Sequence, residues 1–214
     1  MPKETFFNLK EEKQQRILMA ALHEIGEYGY DKASVTRIVK EAGIATGSFY
    51  QYFEDLDDLF VYIGREGGRL KAHYMQLALA ENPKRNLENF IRAMYRGGLR
   101  FGLEHPEYFK AAQSFLLIKN TQLMQRMYDG IETSEIYIWL FQFVGEAIAN
   151  GDLPKGITAD LFFRLLTSIN TTIIEYLLAQ KPGGEMDAND LEMLCELGVQ
   201  ILLHGVRNHS ASEG

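Results

Sequence analysis

Thr46, Gly47, Ser48, Tyr50, Gln51 and Tyr52 fall in one short stretch, and their side chains share one kind of chemistry. Hydroxyl and amide groups can reach base edges, and tyrosine hydroxyls can hold phosphate oxygens. Small residues such as Ala45 and Gly47 let a backbone come close to a nucleic acid. The apolar spacing predicts a helix from about Ala45 to Tyr52 that buries Phe49 and, one turn on, Phe53, leaving Thr46, Gly47, Ser48, Tyr50, Gln51 and Tyr52 toward solvent. A second element must hold this helix in place. Ser34 is expected to cap it through its hydroxyl, Val35, Ile38, Val39 and Ala42 supply its buried face, and Thr36 and Arg37 join the candidate contacts. Gly43 follows the last periodic residue, where a helix end calls for left-handed backbone, and Ile44 plugs the turn. Two short helices pinned around a glycine have the layout of a helix-turn-helix reading head. An ordinary helical hairpin with a tolerant surface fits the same pattern equally well.

These residues also carry a resemblance. Val35-Thr36-Arg37-Ile38, Ala42-Gly43-Ile44, Gly47-Ser48-Phe49-Tyr50 and Tyr52-Phe53, followed by Leu59, resemble the amino-terminal signature of TetR-type transcriptional repressors over about Lys13 to Leu59. The resemblance implies an all-α chain: a three-helix DNA-binding domain over residues 1–55, then a larger ligand-binding and dimerisation domain over 56–214. It implies a homodimer on a palindromic double-stranded operator, released when a small molecule enters the larger domain. Two departures stand out. Leu56 occupies a place where the family usually has a phosphate-holding lysine, and Ala45-Thr46 replaces a commoner hydroxyl-then-lysine pair.

Composition sets bounds on this picture. The 214 residues are 46% hydrophobic and 24% charged, an ordinary globular balance for one or two domains. No apolar run approaches the roughly 20 residues needed to span a bilayer. The opening MPKETFFNLKEEKQQR lacks the order of a signal peptide, so the expected place is the cytoplasm without a membrane partner. Cys195 is the single cysteine and cannot form an intrachain disulfide. The net charge of −7 and pI near 5.3 run against a strongly basic nucleic-acid binder. Through Phe53, Lys3, Lys10, Lys13, Arg16, Lys32, Arg37 and Lys40 are matched by Glu4, Glu11, Glu12, Glu24, Glu27, Asp31 and Glu41. A locally neutral head should grip DNA through a few placed groups and show a shallow salt dependence.

The remaining elements are read as helices. Residues 1–7 form an arm, and Asn8 with Glu11 can make a capping box opening a helix to about Tyr28. Asp55 is the expected cap of a helix from Leu56 to Ala80. Its Gly64, Gly67 and Gly68 suggest close packing or a soft joint, with alanine at 67 and 68 expected to stabilise. After the break at Asn82-Pro83, helices are expected over about 86–105, 106–119, 121–150, 158–180 and 187–206, with 207–214 a polar tail. The middle of the chain is dense in methionine and aromatics, composition that suits plain core or an adaptable apolar site. Tyr95, Phe101, His105, Tyr128, Trp139, Phe143 and Asn170 are the pocket candidates, for a hydrophobic effector of acyl or aromatic type. Leu161, Leu165, Ile169, Ile173, Leu191, Leu194 and Leu202 are the candidate faces for a second copy, and the resemblance implies a four-helix interface. No catalytic, metal or cofactor residue is expected: the chain holds no GxGxxG, P-loop or GxSxG, and none of its five histidines stands in an HxxxH or ExxH pattern. The rival reading is an all-helical small-molecule carrier or enzyme whose hairpin is structural.

Overall fold

A computed structural model describes residues 1–81, 84, 86–116, 118, 120–129, 135–180 and 188–205. Among the described residues every regular element is helical. They are α1 (Glu4–Phe7), α2 (Glu11–Tyr28), a 3₁₀ turn (Tyr30–Lys32), α3 (Val35–Ala42), α4 (Thr46–Tyr52), α5 (Leu56–Ala80), α6 (Leu87–Glu104), α7 (Pro106–Leu116), α8 (Thr121–Tyr128), α9 (Glu135–Asn150), α10 (Ala159–Gln180) and α11 (Ala188–His204). The all-α reading holds, and no described helix is long and apolar enough to cross a membrane.

The chain forms two compact units, Met1–Leu70 with Glu104–Ile131, and Lys71–Leu103 with Glu132–Gly214. In the first, α2 packs on α3 and α7, and α3 and α1 pack on α4. Its core is aromatic at the centre: Phe6, Phe49, Phe53 and Phe60 are fully buried with Ile17, Leu22, Ile25 and Ile38. Phe53 lies 5.4 Å from Phe49 and 5.0 Å from Phe6 between ring centroids. Each such side chain contributes about 1.5–3 kcal/mol on burial, which suffices to hold helices too short to persist alone.

Several termini follow the sequence. Gly43 (φ 66) ends α3, Gly151 (φ 85) follows α9, the Asp55 carboxylate accepts from the Asp58 amide at 2.8 Å, and Thr158 accepts from Leu161 at 3.2 Å. Others differ. The arm is ordered as α1, closed by Asn8, while α2 opens after Lys10 with no side-chain cap, so the capping box does not form. The expected helix over 121–150 is two, because Asp129 leaves the helical region (φ −53, ψ 124) and its amide ends α8 on Gln125. Residues 82–83, 181–184 and 207–214, expected as breaks and tail, lie outside the described residues.

In the second unit α10 packs against α9 and α11. Tyr95 of α6 is buried under Gly198 of α11, and Arg92 and Arg96 pair with Glu196 and Glu192 at 2.6 and 2.8 Å. Ile173 and Leu194, expected on a face open to a second copy, are 7% and 1% exposed and belong to this unit's own core. Leu161 and Leu165, also expected on that face, are exposed on α10, as are Tyr176 further along it and Met193 and Leu197 on α11. Ile169 and Leu202 are half-buried, and the Leu191 side chain lies outside the described residues.

The glycines separate by what surrounds them. A β-carbon on Gly97 would lie 2.5 Å from Met75 Cα and 2.6 Å from its nitrogen, so α6 and α5 meet there backbone to backbone. One on Gly67 would lie 2.8 Å from the Tyr108 ring, which corrects the expectation that alanine at 67 stabilises; at Gly68 nothing stands within 4 Å. Gly97→Ala is therefore expected to cost about 1–3 kcal/mol, and Gly68→Ala to add about 0.5–1 kcal/mol. Urea denaturation of the two variants checks both signs.

Candidate nucleic-acid interface

The reading pair is built on α2. Glu24, near its end, is 2% exposed, and its carboxylate gathers three segments. It accepts from the Ser34 amide at 2.7 Å and from Arg37 Nε at 2.9 Å, with Arg37 Nη2 closing the fork. Arg37 also donates to the Lys32 carbonyl at 2.6 Å and stacks its guanidinium 4.2 Å from the Tyr28 ring centroid. The Glu24 hydrogen bond raises the Arg37 pKa further above its ordinary value. Ser34 stands at the N-cap in extended backbone (φ −135, ψ 122), but its hydroxyl makes no cap bond; its amide is the group held. Arg37, expected as an operator contact, keeps 44% of its side chain exposed and braces α3 through Glu24. Glu24, counted in the sequence only among the acids that balance the head's cations, proves to be a buried organiser, and no local pattern in the sequence marks it.

On α4, Ala45, Thr46, Gly47, Tyr50 and Gln51 are exposed and Ser48 is half-buried. Tyr50 is 51% exposed and leans edge-on to Phe49 at 5.3 Å. Thr36 is exposed on α3. Tyr52, expected toward solvent, is corrected: it is 6% exposed, its ring 6.4 Å from Phe6, and the Lys13 ammonium donates to its hydroxyl at 3.1 Å. The cause is the arm, which α1 lays against α4 and covers the side from which Tyr52 projects. Lys3, Lys13 and Arg37 therefore all have partners within the head. Arg16 and Lys40 are exposed.

The pocket candidates do not gather in one unit. Tyr95, Phe101, Trp139, Phe143 and Asn170 lie in the second, where Tyr95 and Phe101 are buried and Phe143 packs 5.3 Å from Phe90. His105 and Tyr128 belong to the first. His105 opens α7, its carbonyl accepting from Tyr108 and Phe109 and its ring 3.6 Å from Glu107. The Tyr128 side chain is outside the described residues. No group of three or more metal-ligating side chains occurs among those described.

The family described as "Bacterial regulatory proteins, tetR family" matches residues 17–63, which run from within α2 through α3 and α4 to the first turns of α5. A TetR family transcriptional regulator from Chloroflexus aurantiacus, known from its crystal structure, is 30% identical, with 94% of this chain and 89% of that one covered and a TM-score of 0.62. The chain belongs to the TetR family. The HTH-type transcriptional regulator YvdT of Bacillus subtilis is 28% identical over 88% of this chain and 90% of its own. FadR from Bacillus subtilis, solved in complex with stearoyl-CoA, shares the fold at 22% identity, a TM-score of 0.67, and coverage of 90% and 99%. This TetR-family chain is a transcriptional regulator, and its helix-turn-helix is the α3–α4 pair just described.

Two measurements test the bracing of this TetR head. Glu24→Ala leaves the Ser34 amide without its acceptor and is expected to cost about 1–3 kcal/mol, read by urea denaturation. His23 of α2 pairs with Glu41 of α3 at 2.9 Å, and that hydrogen bond raises its pKa above 6.5. Because the folded value is the higher one, the stabilisation is complete below about 6.5 and fades as pH rises through the folded value. An NMR titration should place the His23 midpoint above 6.5, and Glu41→Gln should bring it back toward that value.

Proposed function

We propose that this TetR-family regulator is a repressor that binds a palindromic operator as a homodimer and is released by a hydrophobic small molecule. The observation that carries the reading is the outer face of α4. Thr46, Gly47, Tyr50 and Gln51 stand exposed, with Ser48 half-buried, on a helix whose opposite side is anchored by Phe49 and Phe53. Hydroxyl, amide and bare backbone groups are what base-edge and phosphate contacts require. Ala45 and Thr36 border that face, and Ser34, Arg37 and Tyr52 serve it by holding the helices in place. In this division residues 1–55 read the DNA, and 56–214 carry effector binding and dimerisation.

Leu161, Leu165, Ile169 and Tyr176 on α10, with Met193, Leu197 and Leu202 on α11, supply apolar surface for a second copy; Leu191 completes the set. A homodimer sets two α4 helices at a fixed spacing, hence an inverted-repeat operator. For the effector, Tyr95, Phe101, Trp139, Phe143 and Asn170 are the candidate lining within the second unit. Lys71 of α5 lies beside Gly98 of α6, where desolvation pulls its pKa below the ordinary 10.5. An acidic end on an acyl effector would pair with its ammonium, which agrees with the stearoyl-CoA bound by the fold's Bacillus subtilis neighbour. Effector binding then favours a conformer whose reading helices no longer match the grooves, by no more than its preference for that conformer. The place of action is the cytoplasm.

The carrier reading predicts no sequence-specific DNA complex. In a gel shift against DNA flanking its own gene, the protein is expected to give a specific complex with a shallow salt slope, for acidic side chains balance the head cations and Lys3, Lys13 and Arg37 are engaged within the head. Tyr50→Phe and Gln51→Ala should each weaken that complex by about 1–3 kcal/mol with melting temperature unchanged. Native mass spectrometry of the purified protein should show a dimer carrying an apolar acid, and a long-chain acyl-CoA should dissolve the DNA complex more effectively than the fatty acid methyl ester.

A further inference from the structure

The reading helix has an end that its own sequence does not close. An α-helix leaves its last carbonyls without intrahelical donors, and here no left-handed glycine follows: Phe53 is extended (φ −128, ψ 150), and its amide makes the last helical bond, to Phe49 at 2.9 Å. The carbonyls of Tyr50, Gln51 and Tyr52 remain, and the arm supplies one donor to each. Lys3 Nζ donates to Tyr50 at 2.9 Å, Thr5 Oγ1 to Gln51, and the Lys3 amide to Tyr52 at 2.8 Å. The Lys3 ammonium also stands at the end of α4 where the helix dipole favours positive charge.

Independent contacts fix the arm itself. Phe6 is fully buried, 5.0 Å from Phe53 and 5.5 Å from Tyr62 between centroids, and Phe7 lies edge-on to Tyr62 at 5.9 Å. The Gln14 amide of α2 donates to the Phe7 carbonyl at 3.3 Å and to Leu9 at 2.9 Å.

We propose that the amino-terminal arm is a clamp on the carboxy-terminal end of α4, with Lys3 and Thr5 as positioning residues for DNA recognition. The inference rests on the reading of α4 as the recognition helix. Two of the three clamped carbonyls belong to Tyr50 and Gln51, whose side chains make up the reading face. At seven residues α4 is well below the length at which a helix holds itself, so its last turn frays first when the clamp opens. Tyr50 and Gln51 then lose their fixed orientation before the core is disturbed. Lys3 acts through the helix and not as a phosphate contact.

The full chain tests this with Lys3→Gln/Thr5→Val, Thr5→Ser as the conservative control, and wild type, each measured for operator affinity across salt, melting temperature and amide hydrogen exchange. The double variant is expected to bind about tenfold more weakly, the worth of one or two net hydrogen bonds. Its salt slope should stay unchanged and the Phe53 amide should exchange faster, while amides of α2 keep their protection. Thr5→Ser should retain wild-type affinity. Wild-type affinity with wild-type exchange in the double variant overturns the clamp. A salt slope lower by about one unit identifies Lys3 as a phosphate contact and overturns its positioning role. A wild-type protein with no specific operator complex defeats the reading of α4 itself, and the exchange comparison then still decides the clamp.

Discussion

A carboxylate closed off from water needs partners for its lone pairs, and at Glu24 meeting that need sets the geometry of the whole head. Its bonds to the Ser34 amide and the Arg37 guanidinium hold the entry of α3 and its first turn against α2. The turn glycine Gly43, and behind it α4, inherit their direction from there. Removing one partner of such a site leaves the other uncompensated, so the geometry is held by the cost of the alternatives. The same bond consumes the one arginine of the reading pair. The exposed side chains of α4 itself, Thr46, Tyr50 and Gln51, are neutral.

The brace extends further along the sequence than the helix-turn-helix. In the same compact unit, Lys110 of α7 pairs with Glu27 of α2, and Ser114 donates to the Ile25 carbonyl at 3.0 Å. Arg126 of α8 pairs with Asp58 at the start of α5, and the Arg65 guanidinium donates to the Arg126 carbonyl at 2.8 and 3.0 Å. Asp58 is held below the ordinary carboxylate range despite its burial by the amino-terminal ammonium, the Glu54 amide and Arg126. Residues more than a hundred positions from the amino terminus are thus structural members of the head.

Local rules made the reading pair legible. A left-handed glycine, an aspartate three residues before the amide it caps, and aromatics one turn apart each announce themselves within a few positions, as Gly43, Asp55 and Phe49 with Phe53 did. The partners of Glu24, Lys13 and Lys3 lie 10 to 47 residues away, and no period marks them. Phe6 gave no helical pattern because α1 is a single turn. On α10 and α11 the apolar residues cover so much of each circumference that periodicity could not choose between neighbours. Ile173 and Leu194 were assigned outward while Tyr176, Met193 and Leu197 hold that side. Asp129 divided a run that composition alone kept whole.

Gly26, Gly64, Gly67 and Gly198 each face side-chain atoms of a neighbouring helix, which can change rotamer and absorb a shift of a fraction of an ångström. Where Gly97 faces Met75 there is no such layer, since even one added carbon would sit 2.5 Å from the opposing main chain. Stiffness there belongs to the peptide bonds themselves. Any sliding of α6 past this point meets the main chain of α5 directly, within one compact unit, and finds no rotamer that could give way.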